Sequence, residues 1–304
     1  MSSISEFIWF DGKFVKYQNA KIPVTTHAIH YGTSIFEGIR AYWNGENLNV
    51  FRLDEHLTRF RNSGKFYDIK LRFTNKEIKN AIVNICKKNK LKTSCYIRPF
   101  YFVGQYGINL HVTKKAPTHT AIFCFPFGDL FNKNGIRTCI SKWKKFNDSS
   151  TPTQAKMGGN YLNSILATQD AKNRKFDEAI LLDKVNNVSE APGENIFLIK
   201  NNTLITPPLS SSALDGITRK SILEFSKLLK IKSIVKIVTK DQLKNADEVF
   251  LTGTAAEITP VIKIDSKKIG NGKVGRMTEK IMNQYTEIVM NKNKKFAKWL
   301  TRVY

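Results

Sequence analysis

Four short segments carry residue types that can do covalent or electrostatic chemistry. In Ala155-Lys156-Met157-Gly158-Gly159-Asn160-Tyr161, a lysine precedes two glycines and then Leu162, Ile165 and Leu166 at helical spacing. Glycine lets backbone approach a ligand closely, and a lysine held beside such backbone can be desolvated, lose basicity and attack a carbonyl. Taken alone, it reads more simply as a solvated lysine ahead of a helix. Ser189-Glu190-Ala191-Pro192-Gly193-Glu194-Asn195 sets two carboxylates in a tight turn between two predicted strands. A buried carboxylate is costly unless paired, and a protonated pyridine nitrogen is one partner that stabilises it; acids solvating a loop are the plainer alternative. Leu214-Asp215-Gly216-Ile217-Thr218-Arg219 opens a stretch bearing Ile222, Leu223, Leu228 and Leu229. There, free N–H groups, the helix dipole and the Thr218 hydroxyl offer an anion site. Thr252-Gly253-Thr254-Ala255-Ala256 is a small-residue loop suited to the same use. Taken alone, either of the last two reads more simply as an ordinary cap or turn.

The elements that position these segments follow from hydrophobic period and turn chemistry. Ile8-Trp9-Phe10 and Phe14-Val15 flank Asp11-Gly12, which predicts a hairpin. Near-helical spacing of Leu57, Phe60 and Phe66, and of Ile78, Ile82, Val83 and Ile85, predicts helices over 53–66 and 75–90. Residues 96–103 and 120–127 are dense in β-branched and aromatic types and predict strands. After the polar stretch 132–135 come a strand at 136–141, a helix over about 160–172, a strand at 178–183 and a hairpin of 195–200 with 203–206 across Asn201-Asn202. Strict βαβ alternation is missing, so the fold class is α/β with mixed α+β character: two domains with mixed sheets, 1–131 the smaller and 132–304 the larger. Neither a repeat nor a low-complexity stretch is expected beyond the lysine-rich C-terminal region.

Composition bounds the function. The 304 residues are 41% apolar and 11% aromatic, which sets disorder aside. The strongest apolar run, 121–131, is shorter than the roughly 18 residues of a membrane span and contains Pro126, Gly128 and Asp129. The opening carries Ser2, Ser3, Ser5 and Glu6 and no basic-then-apolar segment of the secretory kind. Cys86, Cys95, Cys124 and Cys139 are scattered among apolar residues, which suggests buried thiols, a reducing cytoplasmic setting and no metal site. Against 25 acidic residues stand 49 Lys+Arg, a net charge of +24. Such an excess attracts nucleic acid where it is concentrated. Here it is spread along the chain, with short clusters at 87–90, 142–145 and 292–295 and no interleaved aromatics, so nucleic-acid binding is the alternative from a different class and is not favoured.

In this order and spacing the segments resemble the class IV, fold-type-IV aminotransferases, specifically the branched-chain amino acid aminotransferases. The likeness covers nearly the whole chain. Its most specific pieces are Tyr31-Gly32-Thr33-Ser34-Ile35-Phe36-Glu37-Gly38-Ile39-Arg40-Ala41-Tyr42, Lys156 to Tyr161, Ser189 to Asn195, Ser212 to Arg219 and Gly253-Thr254-Ala255-Ala256-Glu257. The resemblance implies pyridoxal 5'-phosphate in the larger domain, an active site at the domain interface, and reversible ping-pong amino transfer between leucine, isoleucine or valine and 2-oxoglutarate. It makes Lys156 the covalent anchor and proton carrier, gives Glu190 the pyridine nitrogen and Tyr161 the phenolic oxygen, and puts Arg59, Ile217, Thr218 and Thr254 on the phosphate. For substrate it implies Tyr31, Phe36, Gly38 and Tyr96 around an apolar side chain, Thr254 and Ala255 at the α-carboxylate, and Arg98 at the distal carboxylate of glutamate or 2-oxoglutarate. His30 and His56 receive no catalytic role. The Gln105-Tyr106-Gly107-Ile108 loop implies an assembly, a homodimer at least or a hexamer, because in the family it reaches the neighbouring subunit's site.

The chain departs from the family at Phe127, where many members carry tryptophan. D-amino acid aminotransferase and aminodeoxychorismate lyase share the lysine, the acid and the phosphate loops. They carry a Phe-Gly-Asp-Gly type segment where this chain has residues 34–40, and are ranked lower for that reason.

Overall fold

Positive φ at Asp11 (45°) and Gly12 (92°) closes the first hairpin, the turn whose twist suits antiparallel strands. In the computed structural model, which describes residues 4–304, this hairpin joins β1 (Phe7–Phe10) to β2 (Lys13–Lys16). Ser2 and Ser3 of the polar opening lie outside the described residues. The chain divides into two units. One comprises the residues up to Gly128 together with Ala155–Gly159 and Glu287–Tyr304; the other is Asp129–Gln154 and Asn160–Thr286. Two tracts that the sequence reading placed in the later domain therefore belong to the first unit. Ile35 bridges Met157, and the last strand, Leu300–Arg302, pairs with residues 49–51. Pairings across such sequence distances leave no local pattern.

In the first unit β3 (Ser34–Phe36), β4 (Ile39–Trp43), β5 (Leu48–Phe51), β6 (Cys95–Val103) and β7 (Thr118–Pro126) complete an eight-stranded sheet. Its order is Leu300–Arg302, β5, β4, β6, β7, β1, β2, with β3 also on β6, and all its pairs are antiparallel. Phe36 lies opposite Phe100 and Ile39 opposite Ile97, so β3 and β4 share one register and form a strand interrupted at Glu37 and Gly38. The interruption faces Pro99, whose carbonyl accepts from the Glu37 amide at 2.9 Å but whose nitrogen has no hydrogen to return. After the short α1 (His27–Tyr31), α2 (Leu53–Lys65) and α3 (Asn75–Lys88) bury Leu57 and Phe60, and Ile78, Ile82 and Ile85, in one core with Leu48, Ile97 and Ile122. A Thr74–Glu77 capping box starts α3.

The mixed character lies in the second sheet, built from β8 (Ile136–Ile140), β9 (Glu178–Ile180), β10 (Asn195–Lys200), β11 (Thr203–Thr206), β12 (Lys232–Val235), β13 (Glu248–Gly253), β14 (Glu257–Ile264) and β15 (Lys267–Lys268). The order is β12, β11, β10, β13, β14, β8, β9, with β15 on β14. Two parallel pairs are joined by a crossover helix, α4 (Tyr161–Asn173) between β8 and β9 and α5 (Ile217–Leu228) between β11 and β12; β8 also pairs in parallel with β14, which lies far from it in sequence. The β10–β11 turn at Asn201 and Asn202 takes φ of 47° and 56°, values these residues tolerate. Neither α6 (Lys240–Lys244) nor α7 (Arg276–Val289) was expected. In α7, Ile281, Tyr285 and Ile288 are buried at helical spacing inside the lysine-rich region, a signal that the surrounding charge obscured. All four cysteines are buried and unbridged. No helix among the described residues is long and apolar enough to cross a membrane.

Candidate active site

In the first unit the lysine segment is stitched along β3. The Lys156 carbonyl accepts from the Phe36 amide at 3.2 Å, the Gly159 amide donates to Gly32 O at 3.1 Å, and the Lys156 amide donates to Ser63 Oγ at 3.0 Å. Gly32, at φ 65°, ends α1, and a Cβ there would lie 2.9 Å from Gly159 Cα, so only glycine allows this approach. Lys156 Nζ sits 4.8 Å from the centre of the Phe36 ring, and Arg98 Cζ sits 4.7 Å from the same ring. Burial, reinforced by the charge of Arg59, lowers the Lys156 amine from 10.5 to about 8, against an opposing pull from Glu37. At pH 7 about a tenth of this amine is then neutral, far more than an exposed lysine offers.

Arg98 donates to the Tyr96 hydroxyl at 3.0 Å, while its Nε is buried without a hydrogen-bond partner. A buried guanidinium nitrogen left this way is a place for an anion. Tyr96 is buried and packs against Phe125 and Phe127 at 5.5 and 5.4 Å; a Cβ on Gly38 would collide with its hydroxyl. Tyr31 is 40% exposed and donates to Ile108 O at 3.1 Å, which ties the end of α1 to the loop beginning at Gln105.

Sequence reasoning did not find the group that holds Arg59. Glu37, fully buried, takes Nε and Nη2 of Arg59 on its two oxygens at 2.7 and 2.8 Å and His56 Nδ1 at 2.8 Å. His56 and Arg59 lie three apart on α2, one turn of helix, so a single carboxylate can face both. The available signal was an acid set between the apolar Ile35-Phe36 and Ile39.

Burial alone would raise the Glu37 carboxyl, but Arg59 and His56 outweigh it and hold it far below 4.5. Burial likewise lowers His56 from 6.5. In both cases the folded chain binds fewer protons than the unfolded chain, so stability falls as pH drops below those ordinary values. Glu37→Gln is expected to cost about 3–5 kcal/mol at pH 7, because it leaves the Arg59 charge without its partner. The melting-temperature gap between wild type and variant should narrow as pH falls below 4.5; a gap constant from pH 7 to 3 would contradict this ion pair.

In the second unit three segments converge at the start of β10. Glu190 and Glu194 are both buried. Glu190 Oε2 accepts from Asn195 Nδ2 at 3.0 Å and from the Leu214 amide at 2.9 Å, and Oε1 pairs with Lys145 Nζ at 2.7 Å. Asn195 Nδ2 also donates to Leu214 O at 2.8 Å and so ties the acidic turn to the approach of α5. Ile217 and Thr218 are buried in the first turn of α5, and Thr254 and Ala255 occupy the turn between β13 and β14, half-buried. Tyr161 begins α4 and is half-buried. Neither Asn195 nor Lys145 was singled out in the sequence. The first read as an ordinary strand start and the second as one charge in a basic cluster.

The amino-transferase class IV family model matches residues 34–264. The chain is 39% identical over 303 residues to the branched-chain-amino-acid aminotransferase of Escherichia coli K12, covering 98% of each. Among solved structures it is similar to the branched-chain aminotransferase of Thermoproteus uzoniensis with norvaline, at TM-score 0.96 and 40% identity, covering 99% of this chain and 100% of that one. It is also similar to the T.th. branched-chain amino acid aminotransferase complexed with N-(5'-phosphopyridoxyl)-L-glutamate, at TM-score 0.95 and 39% identity, covering 99% of both chains.

Proposed function

Because this chain belongs to the class IV amino-transferases, we propose that it moves the amino group of leucine, isoleucine or valine reversibly to 2-oxoglutarate, with pyridoxal 5'-phosphate anchored on Lys156. The observation that carries the reading is the Lys156 amine, lowered to about 8 and set beside Phe36, with Arg59, Tyr96 and Arg98 all close enough to act on its charge. The residues present fit the cofactor: a nucleophilic amine, a guanidinium fixed by Glu37, a buried carboxylate with a polar cradle, and a helix start with buried Ile217 and Thr218.

When bound, the cofactor supplies an aldehyde carbon for the amine and a ring that accepts electron density. Lys156 moves the proton at the substrate α-carbon. Glu190 would accept a hydrogen bond from the protonated ring nitrogen, and the Tyr161 hydroxyl would donate to the phenolic oxygen. Arg59, the Ile217 backbone, Thr218 and Thr254 would hold the phosphate, and Thr254 and Ala255 the α-carboxylate. Tyr31, Phe36, Gly38 and Tyr96 enclose a leucine-like side chain. Arg98 takes the distal carboxylate of glutamate, which supports two chemically different partners in one pocket. A relative bound to norvaline and another bound to a phosphopyridoxyl-glutamate adduct support both kinds of occupant. The enzyme works in the cytoplasm as a homodimer at least.

The deciding assay offers leucine, isoleucine, valine, an aromatic amino acid, D-alanine and aminodeoxychorismate in turn, with 2-oxoglutarate present. Turnover of the branched chains is expected; fast turnover of D-alanine with none of leucine would overturn the reading. Arg98→Met separates the two half-reactions. It should raise KM for 2-oxoglutarate about tenfold to a hundredfold, the loss of a charge-assisted hydrogen bond, and change the leucine half-reaction only a few-fold. Equal losses on both sides would place Arg98 elsewhere.

A further inference from the structure

Glu190 has a cation of its own. Lys145 Nζ lies 2.7 Å from Glu190 Oε1, with the two side chains 15% and 6% exposed, while Oε2 takes both the Asn195 amide and the Leu214 N–H. A carboxylate offers about four lone-pair positions, two on each oxygen. Both positions on Oε2 are filled, so a further donor must come to Oε1, the oxygen that Lys145 polarises. We propose that Lys145 is a positioning residue for transamination, whose ammonium holds Glu190 as a carboxylate and thereby keeps the shared proton on the cofactor's ring nitrogen. The proposal rests on the reading of Glu190 as the ring-nitrogen partner.

A proton between a carboxylate and a pyridine nitrogen has two places to sit. On the nitrogen it leaves two opposite charges; on the carboxylate it leaves none, and a buried site favours the neutral arrangement unless a fixed charge opposes it. Lys145 supplies that charge. Burial by itself lowers its ammonium, but the charge and hydrogen bond of Glu190, with a further pull from Tyr161, outweigh burial and hold it above the ordinary value of 10.5, so it remains a cation at neutral pH. Arg219, at 6% exposure on α5, also feels Glu190 and Asp215, and its guanidinium donates to Pro207 O at 3.1 Å. It adds positive charge on the same side of the balance. The lysine cluster 142–145, which looked like bare surface charge in the sequence, thus contributes one member to the chemistry.

The test reconstitutes wild type, Lys145→Met, Lys145→Gln, Lys145→Arg and Glu190→Gln with pyridoxal phosphate labelled with ¹⁵N in the ring, and reads the ring ¹⁵N shift at neutral pH together with kcat for leucine. Wild type and Lys145→Arg should show a protonated ring. Lys145→Met and Lys145→Gln, which differ in hydrogen bonding but both lack the charge, should move the signal towards neutral pyridine and lower kcat roughly tenfold to a hundredfold, the scale typical of a lost supporting partner. A ring that stays protonated in both neutral variants overturns the proposal, as does a neutral ring in Lys145→Arg. Glu190→Gln separates the two layers. If it leaves the signal at the wild-type position, the reading of Glu190 is wrong; if it moves the signal and the neutral Lys145 variants do not, Lys145 alone is misassigned.

Discussion

Lys156→Ala should lose transamination of leucine by a factor on the order of 10⁵, roughly 7 kcal/mol of barrier, while the protein still folds. The expectation follows from two jobs resting on one atom. The amine anchors the cofactor and then carries the proton at the substrate α-carbon, and a methyl group does neither. Folding is expected to survive because the segment is fastened through its backbone: the Phe36, Gly159 and Ser63 contacts all use main-chain atoms of residues 156 and 159. The anchor can be located independently of rate. Borohydride reduction of the holoenzyme, digestion and mass measurement should find the cofactor mass on the peptide containing Lys156 in wild type and on no peptide in the variant. The same mass on another lysine, or a variant that turns over at the wild-type rate, would remove Lys156 from this role.

Glu190→Gln should slow the reaction by about 10³-fold, near 4 kcal/mol, with the leucine KM changed far less. A carboxamide cannot hold the ring-nitrogen proton as a carboxylate does, so the ring loses its capacity to accept electrons from the α-carbon. The local packing adds to the loss, because Lys145, the Leu214 amide and Asn195 Nδ2 all present donors to this side chain, and an amide NH₂ must face at least one of them. Rates within a few-fold of wild type would show that another acid holds the nitrogen.

Much of the fold was legible because its signals are local. Asp11-Gly12 and Asn201-Asn202 mark hairpins through backbone conformations that few residues accept, and the apolar spacing of α2 and α3 falls where those helices form. Boundaries missed by one or two residues reflect frayed ends. The strand expected over 178–183 ends at Ile180, because the Leu181 amide donates to Glu190 O and its carbonyl accepts from the Ser189 amide, bonds that close the turn carrying Glu190. The antiparallel nature of the first sheet was less legible, since strand direction depends on which strands meet and not on what each contains.

By itself the sequence determined the chemistry on offer: a lysine ahead of two glycines, an acidic turn, a helix start fit for phosphate, and their order along the chain, which is how the family resemblance could be stated from residues alone. Those are properties of residue type and short spacing. Tertiary structure decided which neighbours tune them. It put Lys156 in the first unit beside Arg59 and Arg98, gave Arg59 and His56 a common carboxylate in Glu37 across about twenty residues of chain, and set Lys145 on Glu190 over a separation of 45 residues. A carboxylate, a guanidinium and an ammonium have ordinary proton affinities until burial removes water and a specific partner arrives, and both of those are consequences of packing.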